Sequence, residues 1–246
     1  MKKFSMPVII SLVTIIPIGV LLVIFTNSNF TEKPLATQDT EQDTAEVTNE
    51  EYVVDSSDFY SVEPASESVI SQELTQEEKD WLIHMREEEK LARDVYTTLG
   101  EKWQINIFTN IAKSEQTHTD SIKTLLERYD IEDPVKTNEV GEFTLPEMQK
   151  LYDDLVAQGS KSLLEALIVC VTIEDLDIYD LDVAIKETSQ SDIKTVYENL
   201  KKGSRNHMRA FVKQIDKEGG EYIPQFISEE EYSDIISKSQ ERGRVR

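Results

Sequence analysis

Four stretches of the chain place apolar residues at alternating steps of three and four, the spacing that lines side chains along one stripe of an α-helix. In the first, from Thr75 to about Glu101, the stripe is Leu82, Met85, Glu89, Ala92, Tyr96 and Leu99. In the second, from about Asn106 to Asp130, it is Phe108, Ile111, Glu115, His118, Ile122, Leu125 and Tyr129. The third, from about Lys161 to Thr188, carries Leu163, Leu167, Cys170, Glu174, Asp177, Leu181 and Ala184. The fourth, from Ser191 to about Lys217, carries Tyr197, Leu200, Ser204, His207, Phe211 and Gln214. Each seam is apolar towards its ends and interrupted near mid-length by Glu, Asp or His. On the first helix a neighbouring row, Trp81, His84, Glu88, Leu91 and Val95, offers Glu88 in place of Glu89 if the register shifts by one.

Local signals bound these elements. Thr75-x-x-Glu78 is a capping box, and Thr144-Leu145-Pro146-Glu147 reads as a second, opening a short helix. Ser191 is the expected cap of the fourth long helix, and Gly159 and Gly219-Gly220 are natural stops. The connection from Ile131 to Ser160 is long enough for a crossover, so the second and third long helices are expected to run parallel. After the fourth, Tyr222, Ile223, Phe226 and Ile227 are expected to pack on the bundle, followed by a short helix and a basic end. The fold class this predicts is all-α, a four-helix bundle over 74–228 with a helical tail over 229–246.

The N-terminal part is different material. Lys2 and Lys3 precede a run from Met6 to Thr26 that holds no charge and is long enough to span a bilayer. Residues 1–30 therefore read as a membrane anchor, with a cleaved signal segment as the competing reading. Either one carries the rest of the chain out of the cytoplasm. Residues 31–73 are rich in Asp, Glu, Thr and Ser, with Lys33 the one basic residue, and show no helical period, the composition of a disordered acidic linker.

Charge and cysteine content narrow the chemistry. A net charge of −22 argues against nucleic-acid binding. The single cysteine, Cys170, excludes an internal disulfide and a thiolate cluster. With only three histidines, His84, His118 and His207, a metal site must be built mainly from carboxylates, which suits iron or manganese better than structural zinc.

The candidate ligands are then Glu89, Glu115, His118, Glu174, Asp177 and His207. A carboxylate on an apolar face is costly unless it is paired, and any one of these has a plain reading as an ion-pair member or a hydrogen-bonded core histidine. The coincidence across four seams is what points to metal. Antiparallel packing brings helix midpoints to one height, and Glu-x-x-His at i and i+3 is how a bundle presents ligands. Glu87 falls off the stripe and is expected to face away from it.

These residues carry a resemblance. Glu89-Lys-Leu-Ala92-Arg93-Asp-Val-Tyr96 and Glu115-x-x-His118 resemble the first- and second-helix motifs of rubrerythrin- and ferritin-type proteins, and Glu174-x-x-Asp177 resembles a variant of their third-helix motif. More closely, MREEEKLARDVY, NIAKSEQTHTD, TIEDLDIYDL and GSRNHMRAF resemble the domain of unknown function 2202 family, DUF2202. The resemblance implies a ferritin-like bundle with a carboxylate–histidine centre for iron, as a di-iron or mono-iron site, or for manganese. One position departs from the pattern: the fourth helix has Ser204-Arg205-Asn206-His207 where such proteins carry Glu-x-x-His, and Asp177 is the residue available to supply the missing carboxylate. The functions this admits are an oxidase or peroxidase, a metal acceptor without turnover, or a metal-free helical interaction domain. The partners it admits are metal ions, the membrane through the N-terminal segment, and a second copy of the chain.

Overall fold

The computed structural model describes residues 73–243 and 245. Among these residues there are six helices and no strand: α1 (Gln76–Trp103), α2 (Asn106–Arg128), α3 (Pro146–Gly159), α4 (Leu163–Glu187), α5 (Ser191–Lys217) and α6 (Glu229–Ser237). The expected anchor and nearly all of the acidic linker lie outside the described residues. Among those described, no helix is long and apolar enough to cross a membrane.

The four long helices close into a ring, α1 on α2, α2 on α5, α5 on α4 and α4 on α1. Named contacts give their directions. Along α1 and α4, Glu78 meets Thr188, His84 meets Asp180 and Tyr96 meets Glu174, so the two run antiparallel. Along α2 and α5, Ser114 meets His207 and Arg128 meets Asp192, again antiparallel. Short connections make α1–α2 and α4–α5 antiparallel as well. It follows that α2 and α4 lie across the ring from each other and run parallel, joined by the crossover that contains α3.

Most helix ends follow from the sequence. Thr75 Oγ1 accepts from the Glu78 amide, and Glu78 Oε2 accepts from the Thr75 amide, closing the capping box. The other Glu78 oxygen accepts from Thr188 and from the Ser189 amide, so the same carboxylate ties the start of α1 to the α4–α5 turn. Two expected caps are absent. α3 starts at Pro146 behind Leu145, and α5 starts behind Gln190; neither has a side-chain cap. α5 ends at Lys217, and Gly219 adopts φ +74°, the left-handed turn glycine tolerates best.

The crossover changes the environment of α1. Lys90 donates to the carbonyls of Glu139 and Glu142, Arg93 to that of Asn138, and Arg86 to Asp133. The outer face of α1 is thereby covered, and every residue from Met85 to Tyr96 is buried. Glu87 faces away from the seam as expected, but it lies under the crossover rather than in solvent. The C-terminal segment also docks: Tyr222 and Ile227 are buried, whereas Ile223 is exposed, contrary to expectation.

The apolar core forms two clusters. One gathers Tyr96, Leu99, Phe108, Ile111, Leu167, Phe211 and their neighbours; the other gathers Leu82, Met85, Ile122, Leu125, Leu181 and Leu200. Between them along all four long helices lies a layer of polar side chains.

Candidate metal centre

Glu115 is the middle of that layer. Its position in α2 places Oε2 2.9 Å from Nδ1 of His118, one turn along the same helix, and Oε1 2.6 Å from Nδ1 of His207 on α5. The two imidazoles stack with ring centroids 5.4 Å apart, one on either side of this carboxylate. Each has a second acid behind it. Glu89 Oε2 on α1 is 3.3 Å from His118 Nδ1, and Glu174 Oε2 on α4 is 3.5 Å from His207 Nδ1. One ligand atom each from Glu115, His118 and His207 fit within 4.8 Å of one another, as a metal-binding group requires.

Asp177 stands one turn on from Glu174. It accepts a hydrogen bond from the Ser204 hydroxyl of α5. All six sequence candidates lie in one layer: five are linked by direct approaches, and Asp177 stands beside them, hydrogen-bonded to Ser204.

Several positioning groups were not singled out as such from the sequence. Tyr96 donates to Glu174 Oε1 at 2.7 Å and holds that carboxylate. Ser114 lies 3.0 Å from His207 Nε2, which leaves Nδ1 as the ring atom directed at the acids. Gly203 lies against the other ring: a Cβ there would sit 2.6 Å from His118 Nε2 and Cε1. Glycine inside a helix usually marks such a close approach, so Lys202-Gly203-Ser204 was the legible signal.

The electrostatics are those of a crowded, dry site, with none of the six more than 5 % exposed. Burial raises the Glu89 carboxyl to about 8, against the pull of His118, and raises Glu174 to about 7, against the pull of His207. Burial and the neighbouring carboxylates Glu89 and Glu88 push Asp177 well above the usual range. Burial would raise Glu115 too, but the two imidazoles outweigh it and hold that group low. Burial would lower His207; Glu115 and Glu174 instead raise it to about 9. Buried oxygens without a hydrogen-bond donor remain on Glu89 (Oε1), Glu115 (Oε1) and Asp177 (Oδ1). The Glu115 oxygen lies in the ion-pair approach to His207. These residues can hold a transition ion through carboxylate and imidazole donors.

A second group of ligand types, His84, Glu88 and Asp180, lies further along α1 and α4 and comes from the neighbouring row of the first helix.

The uncharacterized protein MJ0754 of Methanocaldococcus jannaschii is 58 % identical over 179 residues, covering 73 % of this chain and 97 % of that protein. A crystal structure of hypothetical protein MJ0754 from the same organism superposes with a TM-score of 0.69, covering 71 % of this chain and 99 % of the solved one. Residues 78–239 match the family model described as an uncharacterized protein domain, DUF2202. With a match over most of the helical region and a relative this similar, the chain belongs to the DUF2202 family.

Proposed function

We propose that the bundle is ferritin-like and that its centre binds transition-metal ions, with iron the preferred metal and two ions the full complement. The observation that carries this reading is Glu115 set between two imidazoles, each backed by its own carboxylate. Glu89 and His118 would hold one ion and Glu174 and His207 the other, with Glu115 between the two imidazoles. Asp177, held by Ser204, completes the carboxylate set beside Glu89. Tyr96 and Ser114 orient Glu174 and His207 and narrow their freedom before an ion arrives. The apolar clusters above and below exclude water from the layer.

Iron held there would supply one-electron exchange between its ferrous and ferric states, the chemistry of an oxidase or peroxidase. The chain has no cysteine pair of the rubredoxin type, so the electron donor is a separate molecule. The N-terminal run from Met6 to Thr26, preceded by Lys2 and Lys3, supports an anchor that holds the domain on the extracytoplasmic side. Protease added to intact cells then releases the helical domain; recovery of the whole protein in the cytosol would overturn this placement.

The metal reading is tested by elemental analysis of the purified protein and by titration with Fe(II) under anaerobic conditions. Two equivalents are expected at this centre, seen as a loss of at least one from the total in Glu115→Gln. Sub-stoichiometric binding that Glu115→Gln leaves unchanged would reject it. Peroxide- or oxygen-dependent oxidation of the bound ferrous form separates an oxidoreductase from a simple acceptor.

A further inference from the structure

We propose that His84, Glu88 and Asp180 form a second cation site, taking a single divalent transition ion towards the outside of the polar layer. His84 and Glu88 are one turn apart on the same face of α1, and Asp180 faces them from α4. His84 Nε2 lies 2.9 Å from Asp180 Oδ2 and 3.4 Å from Glu88 Oε2. One ligand atom from each residue lies within 4.8 Å of the others.

The plain alternative is a histidine that pairs two acids. It leaves too much unexplained. A single ring N–H points to the acids, and Asp180 takes it. Apart from the 3.4 Å approach of His84 to Oε2, neither oxygen of Glu88 has an aligned hydrogen-bond donor, and neither does Asp180 Oδ1, although Glu88 is 5 % exposed and Asp180 1 %. Uncompensated buried oxygens of this kind are expensive. Elsewhere this protein surrounds its buried acids with donors: Asp175 accepts from Tyr222 and from three backbone amides. At Glu88 the neighbouring donor, His84, is already given to Asp180. A doubly charged ion satisfies two carboxylates and an imidazole together, and the imidazole selects manganese, iron, cobalt or zinc over magnesium and calcium.

Access differs from that of the centre. The His84 side chain is 15 % exposed, so an ion in solvent can reach its ring, whereas the central ligands are closed off. The two groups are electrically continuous. Glu88 acts on Asp177 of the centre, and Asp180 acts on Glu88. Occupancy of the outer site does not depend on the central reading, because its three ligands are separate residues.

The probe is Co(II), measured by equilibrium dialysis against the full-length chain. Glu115→Gln serves as the background in which the centre is impaired. In that background the chain is expected to retain an equivalent that His84→Gln or Asp180→Asn removes. Unchanged stoichiometry in both double variants, or no binding in the Glu115→Gln chain, overturns the proposal. A measurement that leaves the cluster intact covers the case of a misfolded variant. With Zn(II) added to the Glu115→Gln chain labelled with ¹⁵N-histidine, the His84 ring nitrogens should shift; static His84 resonances count against the site. Failure here leaves the difference between wild type and Glu115→Gln intact, so the two readings fall separately.

Discussion

Glu174 and Asp175 are neighbours on α4, both almost fully buried, yet they live in opposite environments. Asp175 faces outward under the C-terminal segment and accepts from Tyr222 Oη at 2.7 Å and from the amides of Gln225, Phe226 and Ile227. Glu174 faces the bundle centre, where one oxygen meets Tyr96 and the other lies 3.5 Å from His207 Nδ1. The same contrast recurs on α1. Asp94 accepts from Lys90, Arg93 and the Gly141 amide, while Glu89 keeps an oxygen with no donor. A carboxylate that holds a fold together comes with its donors built in. One kept for a ligand is left short of them. Burial alone does not distinguish the two kinds; the inventory of donors does.

The largest expected effect breaks the first kind. Asp175→Ala strips the acceptor from a tyrosine hydroxyl and three amides at once, and hydrogen bonds to a charged group contribute about 1.5–3 kcal/mol each. The loss of stability in urea unfolding should be roughly 3 kcal/mol or more, and added metal should not restore it. A change below about 1 kcal/mol would mean that the C-terminal segment is not pinned by this residue.

The second kind should answer differently. Glu115→Leu removes the carboxylate between two imidazoles, each of which keeps a second acid, Glu89 or Glu174, so the metal-free protein should lose less stability than Asp175→Ala does. What must vanish is the rise on adding Fe(II) or Mn(II). For wild type that rise corresponds to about 2.7 kcal/mol at a hundredfold excess over Kd. A strongly destabilised metal-free variant that metal still stabilises as much as wild type would place Glu115 with Asp175, among the structural acids.

Glu87 and Glu89 sharpen the same contrast at smaller amplitude. Both are buried, and burial raises the carboxyl of both, so exposure does not tell them apart. Only Glu89 reaches an imidazole. Glu87→Gln should leave the metal-dependent rise intact and move metal-free stability by no more than about 1 kcal/mol. Glu89→Gln should reduce the rise sharply. Equal responses would show that helical phase is not what selects the ligands.

Much of this was readable in the residues. The polar interruption of four apolar seams pointed to one polar layer at mid-height, and the core is split there because a carboxylate at seam height must displace apolar packing. The parallel relation of α2 and α4 followed from the length of Ile131–Ser160. The reach of that connection across α1 was not legible. Lys90, Arg93 and Arg86 look like a solvated face in sequence, since their partners are carbonyls and acids of an irregular segment with no period to read. The support around the centre was hidden for a related reason. Ser114 and Ser204 are common in helices, and only the neighbouring helix reveals what each one touches; Gly203 stands out in the sequence but does not show that it adjoins His118. The absent caps at Leu145 and Gln190 show how a matching pattern can fail: α3 and α5 are held by packing, which makes a side-chain cap dispensable.

A third acid arrangement, half-buried, gives the smallest prediction, and it is read through pH. Glu241 clamps the tail to α5, with Arg205 Nε at 2.7 Å and Arg209 Nη2 at 2.9 Å from its carboxylate. Burial would raise this group, but the two guanidinium groups outweigh it and bring it down to about 2. An unperturbed glutamate titrates near 4.3. In the window between these values the unfolded tail binds the proton and the docked tail does not, so docking weakens as pH falls. The contribution is complete above about 4.3 and lost towards 2. Because the pair is partly solvated, its size is about 1 kcal/mol or less. The readout is hydrogen exchange at the Glu241 and Val245 amides, which donate to the side-chain oxygens of Asn206 and Asn199. Corrected for the intrinsic rate, both should exchange faster at pH 2.5 than at pH 5, while the amides of α1 and α4 hold. Glu241→Gln should flatten that response, because the variant has no carboxylate to titrate. If wild type and variant lose protection in parallel, the tail is released by other groups and the arginine clamp is not its pH-sensitive element.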